Sequence, residues 1–418
     1  MLIEFAVANY RSIRAKQTLS MVAGAARELP HNTVESGSAE LGRINRSAAI
    51  YGPNAAGKTN LLRAVQFMQR TVVSSATVID GVMYDPFKFS HSTREAPSQF
   101  EVTFLQNGTR YEYGFAASRA RVNHEWLIEY PHGRGRKTFE RIYDERTEKY
   151  DWTFSTHFKG NRVLWRDSTR PNALFLSTAM QLNSDHLKPV FEWFQRRLVV
   201  IAGGITLNPI LTLQLLEQSS GKERILPFLR EADPGILDLT VHKEALPQNA
   251  ALVLNPAMII ENPKASGSPP NLVRVTFSHA SDNKDEMVPL DIAEEANGTQ
   301  ALFRGAGAWL NVFANGEILL VDEIDASLHP VLTRFLISQF HSAASNPNNS
   351  QLIFSTHNTT FLTNELFRRD QIWFVEKAED GGSRLFPLLD FSPRNDENIE
   401  RWYLRGRYGA LPIFSEPQ

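Results

Sequence analysis

The segment Gly52-Pro53-Asn54-Ala55-Ala56-Gly57-Lys58-Thr59 constrains this chain more than any other. It fits the pattern Gly-x-x-x-x-Gly-Lys-Thr in full, a pattern that works where a buried strand turns tightly into a helix. Both flanks have that character. Ser47-Ala48-Ala49-Ile50-Tyr51 reads as the strand, and Leu61, Leu62, Val65 and Met68 recur at helical spacing behind the turn. Backbone N–H groups of such a turn, with the positive end of the helix, cradle phosphate oxygens. Lys58 then offers a point charge to the outer phosphates, and the Thr59 hydroxyl offers a ligand for Mg²⁺. The residues expected to hold the nucleotide phosphates are Gly52, Asn54, Gly57, Lys58, Thr59 and Asn60.

A second motif completes the chemistry. Ile318-Leu319-Leu320-Val321-Asp322-Glu323 is a buried strand that ends in two carboxylates. Asp322 is expected to hold Mg²⁺ through water, and Glu323 to orient or deprotonate an attacking water. Acidic residues favoured by a helix dipole would give the same local pattern; the complete phosphate loop upstream decides for the catalytic pair. His357, after the strand from Gln351 to Thr356, is placed to reach a γ-phosphate, so Lys58, Glu323 and His357 are the expected catalytic set. Asp325-Ala326-Ser327-Leu328-His329-Pro330 follows as a D-loop would, although Ser327 also suits a plain helix cap.

The organisation of the rest follows from periodicity. From Tyr84 to Trp165 apolar and polar residues alternate, and Asn107-Gly108 marks a hairpin, which predicts an antiparallel β-lobe. Ala173 to Ser177 reads as a buried strand, and Leu187 to Gln218 as mainly helical. The last third has βαβ character. Expected divisions are an N-terminal lobe over 1–180, a helical insertion and loop over 181–272, and a second lobe over 273–418. With 44 Lys and Arg against 46 Asp and Glu, a strongly basic coat for nucleic acid is excluded, while a local patch is not. The absence of cysteine removes thiolate metal sites and Cys nucleophiles and fits a reducing, cytoplasmic setting. No run approaches the length of a membrane helix, and the N-terminus does not read as a signal peptide.

More than half the chain separates Lys58 from Asp322, which resembles ABC-type ATPases of the SMC and RecF style rather than compact nucleotide kinases. The opening Phe5-Ala6-Val7-Ala8-Asn9-Tyr10-Arg11-Ser12-Ile13, the phosphate loop, Glu295-x-x-Gly298-Thr299-Gln300 and Val321-Asp-Glu-Ile-Asp-Ala-Ser-Leu-His-Pro330 together resemble the OLD-like and abortive-infection ATPases of bacteria. The C-terminal Arg401-Trp-Tyr-Leu-Arg-Gly-Arg-Tyr-Gly-Ala-Leu-Pro412 is similar to the tail of the RloA group among them. The resemblance implies an α/β ABC-type P-loop ATPase head with an antiparallel β-lobe and an inserted helical lobe. It implies an ATP-dependent homodimer in which the loop around Gly298 meets the nucleotide of the other subunit. Ala296 departs from the family's usual Ser there. Gln181 is the candidate for a Q-loop residue, although it suits an ordinary polar position at a helix start equally well.

The function implied is a nucleotide-driven switch in an anti-phage or stress-defence module, acting with a separately encoded nuclease or toxin. The alternative is a RecF-like DNA-repair ATPase, which needs a basic face. Residues 110–170 carry 13 Lys and Arg against 9 Asp and Glu, with Arg134, Arg136 and Lys137 clustered. That excess also describes a solvated rim. The segment from Trp402 to Phe414 is rich in aromatics and Arg, the residue types of binding hot spots. It reads either as a docking element for a partner or as a tail folded back on its own head.

Overall fold

The structure is a computed structural model and describes residues 1–38, 40–78, 84–201, 209–245, 259–261, 270–281, 286–326 and 329–412. The chain opens with β1 (Leu2–Ala8), β2 (Gln17–Ser20), the short pair β3 (Thr33–Glu35) and β4 (Arg43–Asn45), and β5 (Ser47–Tyr51). After α1 (Lys58–Ser74) and α2 (His91–Glu95) come β6 (Ser98–Gln106), β7 (Thr109–Ala117), β8 (Val122–Tyr130), β9 (Arg136–Asp144) and β10 (Lys149–Phe154). The middle holds α3 (Arg162–Asp167), α4 (Phe175–Gln181), α5 (Lys188–Glu192), β11 (Leu198–Ile201), α6 (Ile210–Leu216), α7 (Gly221–Ala232), β12 (Ile236–Ala245), β13 (Ile259–Glu261), β14 (Asn271–Ala280), β15 (Met287–Asp291) and α8 (Asn297–Asn315). The end comprises β16 (Ile318–Val321), α9 (Pro330–His341), β17 (Gln351–Ser355), β18 (Ile372–Lys377), β19 (Ser383–Pro387) and α10 (Ile399–Leu404).

Two compact units result. The first takes in Met1–Ile205, Asn315–Ala326 and Leu336–Gln418. It contains a seven-stranded antiparallel sheet in the order β10-β9-β8-β7-β6-β1-β2. Asn107 and Gly108 have φ of 51° and 76°, and Gln106 pairs with Thr109 across them, so the β6–β7 link is the two-residue turn that Asn-Gly favours. A six-stranded sheet runs β11-β16-β17-β5-β18-β19. Its strands are parallel apart from β19. Every residue of β5, β16 and β17 is buried, which is why these strands lack the alternation of the antiparallel lobe. Leu61, Leu62, Val65, Met68 and Val72 of α1 share one core with Phe5 and Val7 of β1, Phe100 and Phe104 of β6, Leu320 of β16 and Ile353 of β17. The helix behind the phosphate loop is therefore embedded between elements of both sheets.

A buried ion pair ties the antiparallel lobe to the helix that follows it. Arg141 and Glu125 lie 2.9 Å apart with neither side chain exposed. Glu125 also accepts from the Tyr113 hydroxyl (3.0 Å) and from the N–H groups of Phe175 (2.7 Å) and Leu176 (3.0 Å). Those N–H groups open α4, so a carboxylate from β8 caps it. This corrects the expected strand at Ala173 to Ser177. A short apolar run has no periodicity of its own to separate strand from helix, and the cap comes from a residue fifty positions away. Arg141→Met is expected to lower unfolding free energy by about 3–5 kcal/mol in urea denaturation, because it strands the buried carboxylate. A loss below about 1 kcal/mol would show that the pair is dispensable.

Among the described residues, Leu187 to Gln218 is mainly helical as expected, but the unexpected strand β11 lies within it and pairs with β16 from Leu198↔Ile318 to Ile201↔Val321. The second unit spans Thr206–Ala314 and Ser327–Phe335. It is not purely helical: β12, β14 and β13 form a sheet with β15 added to β14. Its helices pack closely. The Thr212 hydroxyl of α6 donates to the Phe303 carbonyl of α8 and accepts from the Gly307 N–H, both at 2.8 Å. The inserted unit therefore begins later and extends further than the 181–272 expected, and the expected mobile loop at 260–272 lies mostly outside the described residues. No helix among the described residues is long and apolar enough to cross a membrane.

Candidate functional site

The C-terminal ends of three neighbouring parallel strands supply the site, the position where open α/β sheets bind ligands. Gly52 follows β5, Asp322 follows β16 and His357 follows β17. At Gly52 the chain passes so close to β18 that a Cβ would lie 2.2 Å from the Val375 carbonyl oxygen. At Gly57, with φ of 115°, a Cβ would lie 2.0 Å from the Ser383 hydroxyl of β19. Both glycines of the pattern are thus fixed by the β18–β19 hairpin as well as by the turn. Behind the turn α1 begins at Lys58, and Thr59 stands in its first turn.

Lys58 is buried, with 6% of its surface exposed. Its ammonium donates to the carbonyls of Gly52 (2.7 Å) and Pro53 (3.1 Å). Burial pushes its pKa down to about 8, against the opposing pull of Asp322, Glu323 and Asp325. Three carboxylates therefore face one cation at the mouth of the loop. Asp322 is 3% exposed and accepts from the Ser355 hydroxyl at 2.6 Å. The same hydroxyl accepts from the N–H of Glu323 at 2.8 Å. Ser355, the last residue of β17, thereby sets the orientation of the acidic pair. Glu323 is exposed and holds a left-handed φ of 52°, a conformation that costs a non-glycine residue about 1–3 kcal/mol and concentrates at functional sites.

His357 is exposed beside this group. Its pKa lies below the ordinary imidazole value, first through desolvation and then through the charge of Lys58, with Asp325, Glu323 and Asp322 opposing. Desolvation and the Lys58 charge thus both favour the neutral imidazole. Two buried polar atoms nearby, the Tyr51 hydroxyl and Asp325 Oδ1, have no hydrogen-bond partner among the described residues. The set is all oxygen apart from Lys58 and His357, the donor chemistry of a hard cation whose remaining ligands are phosphate oxygens and water. Thr59 and Asp322 fit Mg²⁺ on that ground.

A family model described as "AAA domain, putative AbiEii toxin, Type IV TA system" matches residues 47–363 of the 418, a span that contains the phosphate loop, the acidic pair and His357. The chain belongs to this AAA-domain family. Similar solved structures include an SMC head domain from Thermotoga maritima, at 12% identity and a TM-score of 0.40, covering 92% of this chain and 98% of that one. An SmcHead bound to the C-winged helix domain of ScpA gives 15% identity and 0.40 over 92% and 96%. A Smc head domain with an extended coiled coil, bound to the C-terminal domain of ScpA derived from Pyrococcus furiosus, gives 13% and 0.39 over 92% and 95%. No curated protein matches the chain.

Within the AAA domain, Gln181 stands apart from the site. It is exposed at the end of α4, whose Ser177 hydroxyl accepts from the N–H of Ala76, beyond the far end of α1. The 17 residues of α1 place that end about 25 Å from the phosphate loop. The place beside the acidic pair belongs instead to β11, whose Ile201 carbonyl accepts from the Asp322 N–H at 3.0 Å. Gly298 lies in the first turn of α8, in the second unit. Ser327 lies outside the described residues. Asn60 donates to the Ser12 hydroxyl at 2.8 Å, and Ser12 in turn meets the Ser383 hydroxyl at 2.8 Å. Ser383 donates to the Ala56 carbonyl, so the Asn9–Ser12 opening braces the phosphate loop from behind.

The C-terminal segment is part of this unit, in line with the second of its two readings, a tail folded back on its own head. Tyr403 and Tyr408 are buried, and their rings stack on Phe374 of β18 with centroids 5.3 and 5.8 Å away. Phe414 lies outside the described residues.

Proposed function

We propose that this chain binds ATP with Mg²⁺ and hydrolyses it as a nucleotide-driven switch. The observation that supports this most is the convergence of Lys58, the Asp322–Glu323 pair and His357 at the ends of adjacent parallel strands. Gly52, Asn54, Gly57 and the start of α1 would receive the phosphates, with Lys58 as the counter-charge. Thr59 and Asp322 would hold Mg²⁺, which when bound neutralises charge on the β- and γ-phosphates. Glu323, exposed at the mouth, takes the proton of the attacking water. His357 contacts the γ-phosphate side. The loop around Gly298 meets the nucleotide of a second copy, so that ATP binding and dimerisation are coupled.

The biological role that fits is the ATPase of a prokaryotic anti-phage or stress-defence module in the cytoplasm, regulating a separately encoded nuclease or toxin. The family description, with its toxin–antitoxin wording, points the same way. A DNA-repair role gains less from the structure, because much of the basic excess over 110–170 is already engaged. Arg141 is buried, and Arg110, Lys137 and Arg166 each have an acidic partner. Arg170 donates to three backbone carbonyls. The test is phosphate release from ATP by the purified chain with and without Mg²⁺, together with its mass in solution with and without nucleotide. Hydrolysis that needs Mg²⁺ and a doubling of mass with ATP are expected. No hydrolysis under any condition would reject the reading.

A further inference from the structure

Resting on that ATPase reading, we propose that the C-terminal segment from Glu400 to Pro412 is a wall of the nucleotide site that positions the His357 turn, with Glu400 as the positioning residue. One cavity of about 800 Å³ is lined by Gly52 to Asn54, by His357 and Thr359, and by tail residues from Tyr403 to Pro412. A group that occupies the outer side of the phosphate loop next to His357 therefore also touches the tail.

The tail is connected to both catalytic loops. The hydroxyl of Thr359, two residues after His357, donates to the Glu400 carboxylate of α10 at 2.8 Å. Thr359 opens the tight turn Thr359–Phe361, whose cap Asn358 accepts from the Thr360 N–H at 3.0 Å. The turn that carries His357 is thus held by its own cap on one side and by the tail on the other. Tyr51, the residue before Gly52, lies with its ring 6.0 Å from that of Tyr403, so the same short helix also backs the phosphate loop.

The tail itself is locked. The Tyr403 hydroxyl donates to the Ala410 carbonyl at 2.9 Å and the Tyr408 hydroxyl to Glu397 at 2.8 Å. Gly409 has φ of 66° and approaches β18 so closely that a Cβ would lie 2.9 Å from a Glu376 carboxylate oxygen. A rigid element that spans both loops does more than cover apolar surface. It fixes the distance between His357 and the phosphates, and misplacement by about 1 Å can cost about a hundredfold in rate.

The experiment compares steady-state ATP hydrolysis and thermal melting of the full chain with Thr359→Val, Glu400→Ala and Glu400→Gln. Thr359→Val and Glu400→Ala remove the bond and are expected to lower kcat about tenfold or more with little change in KM, the pattern of an interaction lost at the reacting geometry rather than in binding. Glu400→Gln keeps an acceptor oxygen and is expected to restore turnover. Wild-type kcat in both Thr359→Val and Glu400→Ala overturns the proposal, as does an equal loss in Glu400→Gln with a lowered melting temperature, which marks a structural role. Should Glu400→Ala fail to fold, Thr359→Val decides alone, since its shape is conserved. If the unaltered chain hydrolyses no ATP, the ATPase reading fails and this proposal with it; an active wild type with unaffected variants rejects the positioning role only.

Discussion

Glu323→Gln is expected to bind ATP and Mg²⁺ as the wild type does and to turn the nucleotide over about a hundredfold to ten-thousandfold more slowly, the range lost with a general base. The amide keeps the volume and the acceptor oxygen of the carboxylate but cannot take the proton of the attacking water. The backbone of residue 323 should be untouched, since its left-handed turn is fixed by the N–H bond to Ser355 and not by the side chain. Single-turnover hydrolysis, read beside nucleotide binding, separates the two steps. An ATP-bound dimer that outlives that of the wild type is the further sign of a trapped pre-hydrolysis state. Turnover within a few-fold of wild type would remove Glu323 from the mechanism and leave the water to another group.

Lys58→Ala is expected to weaken ATP binding and to reduce hydrolysis by about a hundredfold to a thousandfold, the loss typical of one preorganised charge that meets developing negative charge in a desolvated site. The ammonium is held at the loop by the Gly52 and Pro53 carbonyls. Its truncation therefore leaves both the carbonyls and the incoming phosphate uncompensated. Burial has pushed its pKa down to about 8. A phosphate beside it restores the preference for the charged form, so ATP binding itself is expected to raise that pKa. ATP titration by calorimetry and phosphate release measure the two losses, and an unchanged rate in the variant would overturn the site assignment.

The parts of this site that could be read in advance are those whose chemistry is contiguous. Gly52 to Thr59 is one uninterrupted pattern, Asp322-Glu323 ends an apolar strand, and His357 ends another. The residues that went unread act on these from a distance. Ser355 lay in plain view as the end of a strand, yet its bond to Asp322 exists only because β16 and β17 are paired. Ser12 and Ser383 reach the phosphate loop from opposite ends of the chain. Tyr51 was legible as the end of a strand and Asp325 as the start of a D-loop, but the burial of the Tyr51 hydroxyl and Asp325 Oδ1 beside the site was not. Gln181 read equally as a Q-loop residue and as an ordinary polar position at a helix, and its placement was decided by α4 being capped from β8.

By itself the sequence determined the local geometry: a phosphate-binding turn on a buried strand, an antiparallel lobe with its Asn-Gly hairpin, and parallel strands that end in carboxylates and an imidazole. Steric and periodic rules that act over a few residues suffice for these. The tertiary structure alone decided that β11 is a strand beside β16, that α4 is a helix, that the middle of the chain splits off as a unit with its own sheet, and that the tail closes back on β18. Each of those outcomes depends on partners far away in the sequence. A short apolar segment takes its conformation from the neighbour that satisfies its backbone, and an aromatic tail takes its place from the apolar face that is open to it.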